Sequence, residues 1–156
     1  MKQLLLIRHA KATHHNDSND FERPLTPSGM QDAAVMAQRL LEQKIIPQAI
    51  ISSPALRAET TANIIAEHLS LHKLPTDMLI YEAKKDDLLK VISGLPDKYD
   101  FIALAGHNPD ISDVIDRLTG EYKNMSTCAV ALIEFHADNW QQISSGLGTL
   151  LFYDEP

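Results

Sequence analysis

Cysteine is nearly absent: Cys128 stands alone among 156 residues, so no internal disulfide can form. That suits a reducing compartment. Long apolar runs are missing too. No stretch approaches the length of a membrane span. Met1-Lys2-Gln3 leads into only four apolar residues, too few for the core of a signal peptide. The expectation is a soluble cytoplasmic protein. Positive charge is scarce: 14 Lys and Arg face 21 Asp and Glu, a formal net charge of -7. Such a balance gives no electrostatic footprint for nucleic acid or an anionic membrane, and makes any local basic pocket conspicuous. No internal repeat, low-complexity tract or linker interrupts the chain, so residues 1–156 read as one domain. Hydrophobic residues at 44% and charged residues at 22% are ordinary globular values.

What is present begins with Leu4-Leu5-Leu6-Ile7 running into Arg8-His9. Four apolar residues are short for a helix and the right length for a buried strand, read here as Gln3 to Arg8. A polar loop follows from His9 to Leu25, and loops that long are usually functional or mobile. Thr26 and Pro27 form a cap-and-start pair for a helix to about Gln43. Ala49 to Ser52 reads as a second strand, with Ser53-Pro54 opening a helix to about Leu69. Met78-Leu79-Ile80-Tyr81 reads as a weaker third strand, and Asp86 to Ile92 as a helix ended by Gly94. Phe101 to Ala105 is a strong fourth strand. Asn108-Pro109 opens a helix stopped by Gly120. Cys128 to Phe135, Trp140 to Ser144 and Thr149 to Tyr153 read as β segments, the first two joined by a hairpin. Strand–helix alternation implies an α/β fold, a three-layer α/β/α sandwich around a mostly parallel sheet.

The informative residues sit just past the strands. The first strand ends in Arg8-His9. The second leads through Ser52-Ser53-Pro54 to Arg57. The fourth ends in Gly106-His107. In a parallel sheet these ends share one edge, where ligands bind. Two arginines and two histidines can then converge with helix N-termini on an anion. Arginine forks suit phosphoryl oxygens. One imidazole can attack phosphorus while the other, protonated, donates to an oxygen. Singly, each residue also has a bland reading: Arg57 as a surface ion pair with Glu59, His107 as a turn residue.

The motifs themselves resemble the histidine phosphatase superfamily, branch 1, the phosphoglycerate-mutase-like proteins. Leu5-Leu6-Ile7-Arg8-His9-Ala10 is similar to the opening signature. Ser52 to Ala62, a Ser-Pro turn followed by Arg57-Ala58 and Thr61-Ala62, resembles the second motif. Ala105 to Pro109 resembles the third. Arg23-Pro24-Leu25-Thr26 with Gly29 resembles a segment of the small SixA-type phosphohistidine phosphatases. The resemblance implies a phosphoglycerate-mutase-like fold, His9 as the phosphorylated nucleophile, and Arg8, Arg57 and His107 as holders of the phosphoryl group. Basic groups plus helix N-termini can do what a metal does elsewhere, so no metal and no cofactor is expected. The wider family usually has Gly at position 10. Ala10 tolerates a left-handed backbone poorly, so the turn after His9 should have negative φ.

Leaving-group chemistry separates the substrates. An alkoxide has a conjugate acid of pKa ~15.7 and wants a general acid. Imidazole, at ~6.5, leaves with little help. Glu82 is the one candidate acid, and its bland reading is the start of a loop. A compact site with a doubtful acid suits a phosphorylated protein carrying phosphohistidine, such as a histidine phosphotransfer domain. A small phosphomonoester is the rival substrate, and a non-catalytic phosphate-binding module the rival class. Arg23 and Asn108 are further candidates for substrate contact. Arg23 has an alternative as an ion pair with Asp20 or Glu22. His14, His15, Asp17 and Asp20 read as a solvated loop rather than a metal site, since adjacent histidines do not readily face one ion. Cys128 reads as packed core.

Overall fold

A computed structural model describes residues 1–14, 19–84 and 86–156. Six strands form one sheet: β1 (Lys2–Arg8), β2 (Ala49–Ser52), β3 (His72–Lys73), β4 (Phe101–Gly106), β5 (Val130–Phe135) and β6 (Gly148–Asp154). Their spatial order is β3-β2-β4-β1-β5-β6. The first four run parallel, and β5 and β6 are antiparallel additions. The helices are α1 (Pro27–Glu42), α2 (Leu56–Leu69), α3 (Met78–Tyr81), α4 (Asp87–Ser93) and α5 (Asp110–Thr119), with 3₁₀ turns at Asp20–Glu22 and Trp140–Gln142.

β1 lies between β4 and β5, which explains its unbroken apolar run. Leu4, Leu5, Leu6 and Ile7 are all fully buried. Alternate side chains go to opposite faces of the sheet. Leu4 and Leu6 join α4, α5 and Trp140 in one core. Leu5 and Ile7 join α1 and α2 in the other. The sheet is thus covered on both faces, and the expected α/β/α layering is found.

Two segments differ from the sequence reading. Met78 to Tyr81 is a single helical turn rather than a strand, because Asp77 caps it: its carboxylate accepts from the Leu79 amide at 2.9 Å. The third strand is instead the two-residue pairing of His72 and Lys73 with β2. Trp140 to Ser144 is not a strand either. Asn139 accepts from the Gln142 amide at 3.1 Å and winds a 3₁₀ turn. The indole then docks inward, with Nε1 donating to Tyr99 O at 2.9 Å. The edge strand at Thr149 to Tyr153 is present as β6.

Register places the strand ends. Arg8 lies opposite Gly106, and Ser52 opposite Ala105. Beyond the paired residues, the His9 amide donates to Gly106 O at 3.0 Å and the Ser53 amide to Ala105 O at 3.1 Å. Three turns therefore leave the sheet side by side at one edge.

Candidate active site

That edge brings His9, Ser53, Arg57 and His107 together, all buried, with Arg8 partly exposed beside them. The two imidazole rings are tilted against each other with centroids 5.2 Å apart. His9 Nδ1 lies 2.7 Å from the Ala10 carbonyl oxygen. A carbonyl only accepts, so this contact assigns the proton to Nδ1 and leaves the Nε2 lone pair free. Burial, with the charges of Arg57, Arg8 and Arg23, pushes the His9 pKa down to about 4, against the opposing pull of the Ala10 bond. His9 is therefore neutral at pH 7.

His107 Nε2 sits 2.8 Å from Ser53 Oγ, which also accepts from the Ala55 amide at 3.1 Å. The Ser53 hydroxyl can donate to Nε2, an arrangement in which the His107 proton sits on Nδ1. Burial, then repulsion from His9 and Arg57, pushes His107 down to about 3. The protonated partner expected from the sequence is thus corrected. In a buried pocket already holding arginines, the second ring stays neutral and offers an uncharged N–H.

The turn after His9 is held by groups from other motifs. Thr61 is fully buried; its hydroxyl accepts from the Ala10 amide at 3.0 Å and donates to Arg57 O at 2.7 Å. The Cys128 amide donates to both Arg8 O and His9 O at 3.1 Å, and Cys128 itself is core. Ala10 is absent from the positive-φ positions, as its side chain requires. Gly29 shows why the Arg23–Gly29 segment needs glycine. A Cβ there would lie 2.2 Å from Lys11 O. That approach lets the Thr26 amide donate to Lys11 O at 2.9 Å while the Thr26 hydroxyl caps α1 at Gly29 N.

Asp20 and Tyr81 were not singled out from the sequence for this site, and both belong to it. Arg57 grips Asp20 twice, Nη1 to the carbonyl at 2.7 Å and Nη2 to Oδ2 at 3.1 Å. Arg23 Nε donates to Asp20 Oδ1 at 3.0 Å, and Tyr81 donates to Oδ2 at 2.8 Å. The Tyr81 bond, then those of the two arginines, hold the Asp20 carboxyl down at about 2 against the effect of burial. The Tyr81 ring stands edge-on to His107 at 5.7 Å and to Phe21 at 5.1 Å. Arg57 therefore pairs with Asp20, not with Glu59. No pattern marks Asp20 and Tyr81 as partners, since they lie 61 positions apart. The only local signal was Asp20 three residues before Arg23.

The remaining candidates are distributed unevenly. Arg23 joins the cluster through Asp20, and its Nη1 donates to Thr13 O at 2.9 Å. The Asn108 amide bridges Met125 O at 2.8 Å, and its Oδ1 accepts from the Ser112 hydroxyl at 2.8 Å. Arg8 Nη1 donates to the same Met125 carbonyl at 2.9 Å, so Asn108 braces the Arg8 anchor. Glu82 ends α3, exposed, and its carboxylate makes no hydrogen bond or ion pair among the described residues. His15 and Asp17 lie outside the described residues, so the loop reading there stands as an expectation. Arg8 Nε, Arg57 Nε and His107 Nδ1 at the site, like Thr13 Oγ1 beside it in the loop, are buried without a hydrogen-bond partner among the described residues. Buried donors left unpaired cost about 1–3 kcal/mol each. Three in one cationic cluster mark a site built for a ligand with several acceptor oxygens.

The comparisons agree with this geometry. The model of the histidine phosphatase superfamily (branch 1) matches residues 4–82. An uncharacterized chloroplastic protein of Arabidopsis thaliana is 28% identical over 153 residues, covering 90% of this chain and 70% of that one. The phosphohistidine phosphatase SixA of Escherichia coli K12 is 35% identical over 69 residues, 44% of this chain and 42% of its own. The solved structure of the protein histidine phosphatase SixA complexed with tungstate superposes with TM-score 0.80 at 26% identity, covering 98% of this chain and 96% of that one. With the fold matched over nearly its whole length and the family signature over half of it, the chain belongs to branch 1 of the histidine phosphatase superfamily and is built like SixA.

Proposed function

We propose that the protein is a metal-independent phosphatase of the cytoplasm that hydrolyses phosphohistidine on a phosphotransfer protein through a phosphorylated His9. The observation that carries the substrate reading is the state of the carboxylates. Asp20, the acid bound within the cluster, is held down at about 2 and has no proton to give at neutral pH. Glu82 is exposed, and its carboxylate is unengaged among the described residues. An alkoxide leaving group, with a conjugate acid near ~15.7, would depart unaided. An imidazole, at ~6.5, needs no such acid.

In the first step the His9 Nε2 lone pair attacks phosphorus in line with the departing nitrogen. The N–P bond forms, the substrate P–N bond breaks, and its electron pair stays on the substrate imidazole. Charge on the equatorial oxygens meets Arg8, Arg57 and the His107 Nδ1–H. The His9 Nδ1–H bond to Ala10 O persists in the phosphoenzyme. His9 therefore departs as neutral imidazole when water attacks phosphorus in the second step, the P–N electron pair returning to Nε2. The proton of the attacking water leaves with phosphate or solvent.

The test is a panel of a phosphohistidine protein, phosphoramidate and a sugar phosphate, each with and without chelator. The expected result is chelator-insensitive turnover with kcat/KM highest for phosphohistidine. Sugar phosphate hydrolysed as well or better, or activity restored to chelated enzyme by a divalent metal, would overturn the reading.

A further inference from the structure

A carboxylate in a cluster of arginines is out of place in a site for anions. Asp20 is nevertheless locked there by donors from three elements: Arg57 of α2, Arg23 of the loop and Tyr81 of α3. Its backbone carbonyl takes a fourth bond, from Arg57 Nη1. An ionised carboxylate offers about four acceptor positions. Among the described residues Oδ2 takes two and Oδ1 one, which leaves an acceptor position on Oδ1. The side chain is 53% exposed, whereas His9 is 8% exposed. His9 thus forms the floor of the site and Asp20 its rim. An in-line displacement drives the leaving group away from the nucleophile, outward toward that rim.

We infer that Asp20 is a specificity-determining residue that accepts a hydrogen bond from the far ring nitrogen of the substrate's phosphorylated imidazole and so selects a ring that leaves as neutral imidazole over anionic leaving groups. This rests on the phosphohistidine reading above. N-phosphorylated imidazole has two states. Without a proton on its far nitrogen it must leave as an imidazolate anion. With that proton it leaves as neutral imidazole, the good leaving group. A fixed negative charge beside the far nitrogen favours the protonated state. The balance needs no proton from the enzyme: the far N–H stays on the departing ring, and the P–N electron pair goes to the nitrogen that held phosphorus. The same charge opposes substrates that carry carboxylates next to the phosphate, such as a phosphoglycerate. Arg57 is meanwhile oriented by its two bonds to Asp20, with Nε and two further N–H groups left for phosphoryl oxygens.

The experiment compares the intact protein with Asp20→Asn, which keeps an acceptor for Arg57 and Tyr81 but removes the charge. The substrates are a phosphohistidine peptide, p-nitrophenyl phosphate and 3-phosphoglycerate, each followed across pH. The ratio of kcat/KM for phosphohistidine over p-nitrophenyl phosphate should fall at least about tenfold, the size of one lost hydrogen bond to a charged group. The alkaline limb for phosphohistidine should move to lower pH, and 3-phosphoglycerate should gain relative to p-nitrophenyl phosphate. Asp20→Glu should recover part of the ratio. If all three substrates fall by one common factor with no movement of the alkaline limb, Asp20 only braces Arg57 and the inference is wrong. Failure of the unmodified protein to hydrolyse phosphohistidine would instead defeat the substrate reading on which it rests.

Discussion

Protonation of His9 is the perturbation with the largest consequence for this site. An imidazole in water titrates near 6.5; burial, with Arg57, Arg8 and Arg23 nearby, sets His9 at about 4. That displacement disfavours the imidazolium by roughly 3 kcal/mol. At pH 5 an ordinary histidine is only ~3% neutral, whereas one of pKa about 4 is ~90% neutral, a difference of about thirtyfold in competent nucleophile. The measurement is the single-turnover rate of phosphoenzyme formation between pH 4 and pH 8, paired with ¹⁵N NMR of the imidazoles. The rate should lose no more than a small part of its value from nucleophile protonation down to pH 5. The His9 resonances should show the Nδ1–H tautomer that Ala10 O imposes. An Arg8→Gln variant removes one repelling charge and should raise the His9 pKa. A His9 midpoint near 6.5, or an Nε2–H tautomer, would refute the reasoning.

Three further outcomes follow from the supports of the site. Gly29→Ala puts a methyl 2.2 Å from Lys11 O, so the loop must shift; we expect a loss of about 1–3 kcal/mol in denaturant midpoints together with a lower kcat/KM, and an unchanged variant would show that the loop is not fixed there. Thr61→Val keeps the volume but strands the buried Ala10 amide, costing about 1–3 kcal/mol and lowering Tm by several degrees on the scale of ~2–4 °C per kcal/mol. Acid stability carries a definite sign: His9 at about 4 and His107 at about 3 bind fewer protons folded than unfolded. Their contribution is whole above about pH 6.5 and fades as pH falls toward 4 and then 3. Asp20, held at about 2, adds stability that is lost in the same direction, below the ordinary carboxylate range. Urea midpoints at pH 7 and pH 5 should therefore fall with acidity, less steeply in His9→Gln; a flat profile would contradict the burial of both rings.

Much of this arrangement was legible in the chain because the chemistry sits at strand ends. An apolar run that stops at Arg8-His9, another at Ser52-Ser53 and a third at Gly106-His107 mark positions that parallel pairing must bring to one edge. β5 was legible as a run of β type, but the hairpin partner read for it, Trp140 to Ser144, is not a strand, and β5 pairs antiparallel with β1 and β6 instead. What the pattern did not carry is set by tertiary contact. Met78 to Tyr81 has no period to separate strand from helix, and the decision lies in the Asp77 cap one residue upstream. Tyr81 at the end of that turn places its ring edge-on to His107, a contact the sequence pattern does not carry. Asp20 was hidden for another reason: a carboxylate in a polar loop looks solvated until Arg57 arrives from α2 to bind it. The charge state of His107 also escaped the sequence, because it depends on burial beside His9 and Arg57 rather than on residue type.

The central claim is that His9 carries the phosphoryl group through Nε2. Rapid quench with a phosphohistidine protein under alkaline conditions, followed by mass spectrometry of the protein's own peptides, tests it most directly. The account predicts an acid-labile, base-stable phosphoryl group on His9 at Nε2, formed and lost at rates compatible with turnover. It also predicts no such species, and a loss of about 10³-fold or more in activity, in His9→Ala. Turnover that persists in His9→Ala, or a phosphoryl group trapped on another residue, would contradict it.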